Sequence, residues 1–463
     1  MKNIDLFRNE SDYSELNYEA AAAHLSGALK FRTTSYVDTS LICYEEFDAF
    51  HEYLKKTYPH ITACAEWEKV GYSLLIRIPG SDPTLRPALF MAHQDVVPVV
   101  PGTEKDWLHD PFSGDLADGY IWGRGAMDIK EMLIAIMESA EYLLAHGKNF
   151  RRSVYLAFGE DEETVSRGAI AICELLQSRG VELEFVLDEG SGDVLDAGDY
   201  GAPGTLVCTI GVYEKGYADL QLTARSRGGH SSNPFHGTSL GTLAGAITAI
   251  VQNPMPPHLS DAIRNTLHLL TPYITEEPMK TWVTDIDAYE ENIIGWFLGK
   301  ENLYHQVLTT CAPTQIDPGS PAGNVMPQNM SAVINFRLSP PDTPETLLAH
   351  CEKVTKGEVE LSYVQQIEAS RPSDTDAWGY RSLKAVLEHY FDRLLFIPVQ
   401  NKGATDARRY EPLSRCVLRF GPFLEEEEVQ AEGIHGTNER ISPRAYYQGI
   451  RVLLRMMEST CTD

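Results

Sequence analysis

Apolar residues recur at helical spacing from Leu16 to Phe31, which predicts an opening amphipathic helix. Short apolar runs follow, each leading into a polar or acidic residue: Ala88–Ala92 before His93, Val154–Gly159 before Asp161, and Phe185–Leu187 before Asp188. Runs of this length predict strands buried on both faces. Helical patterns lie between them, notably Lys130 to Leu144, which stops before Gly147. Strands alternating with helices in this way predict an α/β fold, a mixed and mostly parallel sheet flanked by helices. Functional groups in such sheets gather beyond the carboxyl ends of the strands, which is where these polar residues fall.

The pattern changes after about Val212. Ala218–Ala224, Ser331–Arg337 and Glu358–Val364 read as alternating strands, with a helical pattern at Leu240–Val251. From about Ala377 the first style returns, with a helix at Tyr380–Phe391, a strand at Cys416–Phe420 and a last helix at Pro443–Met457. One α/β domain, built from residues 1–212 and 367–463, is therefore expected to be interrupted by an α+β domain over 213–366. The acidic run Glu425–Glu428 reads as a solvated loop.

A chain of 463 residues with 43% hydrophobic content has enough apolar material for two cores. Its 39 Lys and Arg against 66 Asp and Glu give a net charge of −27, which excludes a nucleic-acid binder needing a basic face. The surplus of carboxylates suits metal cations instead. The opening MKNIDLFRNESDYSEL carries no apolar leader, and no run is long enough to span a bilayer. Eight scattered cysteines without a CxxC pair point to neither a disulfide framework nor a thiolate zinc site. A cytoplasmic setting without membrane attachment is expected.

Five clusters carry candidate chemistry. In Met91-Ala92-His93-Gln94-Asp95, an imidazole at a strand end can face a metal while the carboxylate two residues on orients it. Gly123-Arg124-Gly125-Ala126-Met127-Asp128 places an acid before a helix, where taken alone it reads as an N-cap. It lacks the third glycine of a dinucleotide fingerprint. Gly159-Glu160-Asp161-Glu162-Glu163 crowds four acids at a strand end, where cations would relieve the repulsion and leave one acid free as a base. Leu187-Asp188-Glu189-Gly190 and Gly433-Ile434-His435-Gly436 complete the set. Oxygen and imidazole donors without thiolates suit zinc, with cobalt or manganese as substitutes. Five ligands are too many for one open catalytic ion but suit two ions sharing a carboxylate.

Together these motifs make the sequence resemble the co-catalytic dizinc exopeptidase family that includes carboxypeptidase S, Gly-X carboxypeptidases, carboxypeptidase G, aminoacylase and succinyl-diaminopimelate desuccinylase. MAHQDVVPV, WGRGAMDIK, FGEDEE, VLDEG, GGHSSNP, NVMP, GATDAR and GIHGTNE occur in order from about Ala20 to the last helix. The resemblance implies a zinc-exopeptidase sheet with an inserted lid and dimerisation domain. It implies that Asp128 bridges two Zn2+ ions, with His93 and Asp188 completing one site and Glu163 and His435 the other. Glu162 would be the general base and Asp95 would orient His93. His230, in the inserted domain, would donate to the oxyanion across a homodimer. Asn324 and Arg337 would bind polar groups of the substrate, and Gly403 would help to cradle its carboxylate. Relatives often carry a second glycine where Lys402 stands, and the stretch from Asn253 to Ala322 lengthens the lid. The expected activity is hydrolysis of an amide beside a free carboxylate. A carboxypeptidase or dipeptidase acting on a small peptide is the leading form, and an amidohydrolase acting on an N-acyl amino acid is the alternative. A non-catalytic binding protein is disfavoured, because every ligand and the base are present.

Overall fold

The computed structural model describes residues 6–320, 322–401, 403–426, 429 and 433–463. The chain forms two compact units. One comprises residues 1–196, 205–213 and 372–463, and the other residues 197–204 and 214–371.

The first unit is built on a nine-stranded mixed sheet. Its middle is parallel: Ala88–His93 pairs with Val154–Gly159 on one side and Phe185–Asp188 on the other, and Val417–Arg419 continues beside Phe185–Asp188. Antiparallel strands flank this core, Ser73–Ile78 beyond Val154–Gly159 and Leu206–Glu214 beyond Val417–Arg419. All six residues of Ala88–His93 and all six of Val154–Gly159 are buried, as strands covered on both faces must be.

Side chains alternate between the two faces. Leu89, Met91, Tyr155 and Ala157 pack with Ala169, Ile172 and Leu176 of the helix Arg167–Ser178. The other face is covered by the helix Lys130–Ala145, against which Tyr18–Ala28 and Pro443–Cys461 pack. The Asn17 side chain caps the opening helix by accepting from Ala20 N at 3.0 Å. Ser442 caps the last one, accepting from Ala445 N at 3.2 Å, and Pro443 follows in the first turn. The parallel strands share one direction, so His93, Gly159, Asp188 and Arg419 end on the same rim.

The second unit holds a four-stranded antiparallel sheet in the order Thr310–Ile316, Asn329–Leu338, Gly216–Arg225, Glu360–Ile367. Ala218, Leu220, Leu222, Ile334 and Phe336 form one apolar face, packed with Leu243 and Ala246 of the helix Ser239–Gln252 and with Leu347 of the helix Pro344–Thr355. The stretch between Asn253 and Ala322 contains further helices at Asp261–Leu270 and Glu290–Leu298 and the edge strand Thr310–Ile316. All eight cysteines are free thiols. Among the described residues no helix is long and apolar enough to cross a membrane.

Candidate metal centre

The rim of the parallel strands gathers two overlapping clusters, His93 with Asp128 and Glu189, and Asp128 with Glu163 and His435. Asp128 belongs to both. Its Oδ1 lies 3.1 Å from His93 Nε2, and its Oδ2 lies 3.0 Å from His435 Nε2. His435 Nε2 is also 3.1 Å from Glu163 Oε2. A carboxylate that offers each oxygen to a different imidazole has the disposition of a bridging ligand.

His93 is 1% exposed, and its tautomer follows from its neighbours. Its Nδ1 donates to the Asp95 carbonyl oxygen at 2.9 Å, which leaves the Nε2 lone pair free to face the cluster. The Asp95 carboxylate in turn accepts from Ser35 Oγ at 2.6 Å and from the backbone N–H groups of Glu162 and Glu163, each at 3.2 Å. Asp95 therefore ties the end of one strand to the acidic loop that follows the next.

That loop divides its four acids between two tasks. Glu160 accepts from Ser73 Oγ at 3.1 Å, and Asp161 accepts from Arg167 Nε at 2.8 Å and Gly168 N at 2.9 Å, securing the start of the following helix. Glu162 and Glu163 remain for the site. Burial pushes the Glu162 carboxyl well above the usual carboxylate range, and the charges of Glu189 and Asp406 add to this while His93 opposes it. Burial also raises Glu163, whose Oε1 has no hydrogen-bond partner. Asp128 moves the other way, because His435 and His93 outweigh its burial and hold it well below that range.

The motif reading gives Asp188 to the first site, and in the structure it is the neighbouring Glu189 whose carboxylate joins His93 and Asp128. Asp188 ends its strand facing inward, where its Oδ2 accepts from Ala407 N at 2.9 Å. The next side chain points to the opposite side, and Glu189 Oε1 lies 3.4 Å from His93 Nε2. Burial raises Glu189 to about 8 and Asp188 to about 6. Glu189→Ala should therefore weaken metal binding directly, whereas Asp188→Asn should retain the wild-type metal content. Elemental analysis after dialysis checks both, and a loss confined to Asp188→Asn would return the ligand role to Asp188.

Two further residues of this centre had no role in the sequence reading. Glu439 is fully buried and accepts from Arg124 Nη1 at 2.6 Å, Gly125 N at 3.0 Å, Met127 N at 2.8 Å and Asp128 N at 3.2 Å. Both residues lie inside quoted motifs, but a buried Arg–Glu pair separated by over three hundred residues leaves no local spacing signal.

The expected substrate residues are placed as follows. His230 and Asn324 share a short ribbon in the second unit, in which His230 pairs with Val325 and Ser231 N donates to Asn324 O at 3.0 Å. His230 Nδ1 accepts from Ser232 N at 3.1 Å, so its exposed Nε2 is the nitrogen that can donate. Arg337, also in the second unit, is exposed, and its guanidinium lies 4.8 Å from the Tyr217 ring centroid. Gly403 belongs to the first unit and is exposed; its carbonyl accepts from Asn401 Nδ2 at 3.1 Å. Lys402 lies outside the described residues.

Beside Asp128 and Glu189 the first unit contains a cavity of ≈ 230 Å³. Met127, Ile129, Met132, Phe423, Leu424 and Ile434 supply much of its wall, and among the described residues no Lys, Arg or His lines it.

The sequence model of peptidase family M20/M25/M40 matches residues 89–459. The chain belongs to this family. It is a hydrolase of the metallopeptidase class. It is 33% identical over 473 residues to the human N-fatty-acyl-amino acid synthase/hydrolase PM20D1, covering 98% of this chain and 91% of that protein. It is 32% identical over 469 residues to the probable carboxypeptidase S-like 2 of Dictyostelium discoideum, covering 99% and 87%. Among solved structures, the M20 metallo-carboxypeptidase Sso-CP2 of Sulfolobus solfataricus superposes with a TM-score of 0.66 at 19% identity, covering 94% of this chain and 98% of that one. Human carnosine dipeptidase 1 gives 0.58 at 15% identity, covering 96% and 97%.

Proposed function

We propose that the chain uses two divalent ions, zinc in the first instance, to hydrolyse the amide of an N-acyl amino acid. The donors fit such a pair, since Asp128 offers its two oxygens to two imidazoles and Glu163 Oε1 is buried without a partner. His93, Asp128 and Glu189 would hold one ion, and Asp128, Glu163 and His435 the other. The ions, when bound, supply Lewis acidity that activates water and polarises the scissile carbonyl.

The chain's own residues do the rest. Glu162, buried and free of structural duty, accepts the proton of the attacking water and passes it to the leaving amine. Asp95 holds His93 in the tautomer that leaves Nε2 free. His230 donates from Nε2 to the developing oxyanion, in the family arrangement from a second copy of the chain. Arg337 holds the carboxylate of the substrate as a planar fork.

The apolar side chains of the cavity wall are the observation that favours an acyl group over a peptide amine. Its acids Asp128 and Glu189 belong to the metal cluster. Burial pushes Glu131, another, well above the carboxylate range, and Asp193 is the fourth acid of the wall. An aliphatic chain would bury apolar surface against Met127, Ile129, Met132, Phe423, Leu424 and Ile434. The likeness to a carboxypeptidase S-like protein supports the second reading, release of a C-terminal residue from a small peptide.

The test is a zinc-loaded hydrolysis panel of N-acyl amino acids of rising chain length, matched dipeptides, and the C-terminal amide of each. Burial of one methylene contributes about 0.8 kcal/mol, so kcat/KM should rise about fourfold per carbon until the cavity is full. Faster cleavage of the free-amine dipeptides would decide for the peptide reading. Arg337→Ala should raise KM for the free acids and remove their advantage over the amides, a charge-assisted pair contributing about 1.5–3 kcal/mol. An undiminished preference for the free acid in that variant would remove Arg337 from the site.

A further inference from the structure

The two clusters are braced differently. His93 is buried at the end of a central strand and oriented by Asp95, a residue two positions away. His435 is 54% exposed in its side chain, has φ of +59°, and lies in a loop that enters the sequence 307 residues after Asp128. Close contacts between that loop and the Asp128 turn converge on one ion pair. Glu439 receives the backbone N–H groups of Gly125, Met127 and Asp128 together with Arg124 Nη1, while Arg124 Nη2 donates to Gly436 O at 2.8 Å. Gly123 N donates to the Glu439 carbonyl at 3.0 Å, and Trp107 covers the guanidinium, its ring centroid 5.3 Å away. Asn438 adds a second tie by accepting from Leu108 N at 2.7 Å.

We propose that Glu439, held by Arg124, is a positioning residue that sets His435 against Asp128 and thereby governs one of the two metal positions selectively. The inference rests on the two-ion reading above. The carboxylate serves as a four-acceptor clamp: each oxygen takes two donors, and one end of the clamp is the backbone of the bridging ligand itself. Glutamine at position 439 keeps the shape but replaces one acceptor oxygen with an NH2 group. That group faces either Arg124 Nη1 and Gly125 N or the N–H groups of Met127 and Asp128, so two donors meet a donor. The Asp128 turn and the His435 loop must then separate. The Asp128 turn, also held by Arg124 N donating to the Pro111 carbonyl at 2.7 Å, stays beside His93 and Glu189, and the His435 loop is the part that moves.

The experiment is a zinc competition titration against a chromophoric chelator on the full-length protein, comparing wild type, Glu439→Gln and Arg124→Lys. Loss of an outer partner of a metal ligand typically weakens metal affinity 10–100-fold. One ion should therefore bind 10–100-fold more weakly in Glu439→Gln and less severely so in Arg124→Lys, while the other ion keeps its wild-type affinity. The deficit in kcat should disappear as free zinc is raised, which a general folding lesion would not allow. Two ions bound at wild-type affinity in Glu439→Gln would overturn the proposal. So would equal weakening of both ions, or a kcat deficit that excess zinc leaves in place. If Glu439→Gln does not fold, Arg124→Lys alone decides by the same criteria. A wild-type protein that binds a single ion would instead refute the two-ion reading.

Discussion

Glu162→Gln is expected to retain its metal ions and its fold while losing about 10²–10⁴ in kcat, the usual contribution of a positioned acid–base group. The substitution preserves volume and removes only the capacity to carry a proton. The Glu162 backbone N–H, which donates to Asp95, is untouched, so the acidic loop keeps its anchor. Metal analysis, circular dichroism and steady-state kinetics on one preparation separate the contributions. Near-normal turnover with two ions bound would remove Glu162 from the chemistry. Lost ions would instead make it a ligand.

Asp128→Ala is expected to abolish activity and to lower the metal content, from the two ions of the proposed centre to at most one. The loss exceeds that of any outer residue, because the side chain faces His93 with one oxygen and His435 with the other. It also leaves those two imidazoles without the carboxylate that holds both their Nε2 atoms, so the remaining ligands have no common partner. Elemental analysis and a substrate assay on dialysed protein check the outcome. Two ions per chain and measurable turnover in Asp128→Ala would exclude the bridging role.

Much of the fold was legible in the hydrophobic pattern. The strands around Leu89, Leu156 and Val186 are fully buried and read as unbroken apolar runs, and the helix Lys130–Ala145 ends within one residue of its expected limit. The strand Leu206–Glu214 was less visible, since it is buried along most of its length but contains Thr209, Gly211 and Glu214. The helices between Asn253 and Ala322 were missed because that stretch is read only as added length, and Pro278 opens the short helix Met279–Trp282 inside it. The unit boundary lies at 213/214 on one side and 371/372 on the other, and residues 197–204 join the second unit, a choice made by contacts distant in sequence.

At the site, motif spacing located every segment but could not choose between adjacent acids. Asp188 and Glu189 both carry carboxylates, and only the direction of the last strand residue distinguishes them. The acidic run was similarly mixed: position alone did not reveal that Asp161 secures the helix beginning at Arg167 while Glu163 reaches His435. Glu439 and Arg124 escaped because their pairing exists only after the chain has closed on itself.

That closure has a consequence for biosynthesis. Four of the five clustered donors lie before residue 190, and the fifth arrives with the loop at His435, after the whole second unit has been made. A ribosome-bound chain therefore exposes three acids and one imidazole for most of its synthesis, with no second imidazole to complete the pair. Domains fold as they emerge, so the early segment must wait for its own C-terminal portion. The cluster therefore waits for the His435 loop, and a product terminated before that loop lacks its fifth donor.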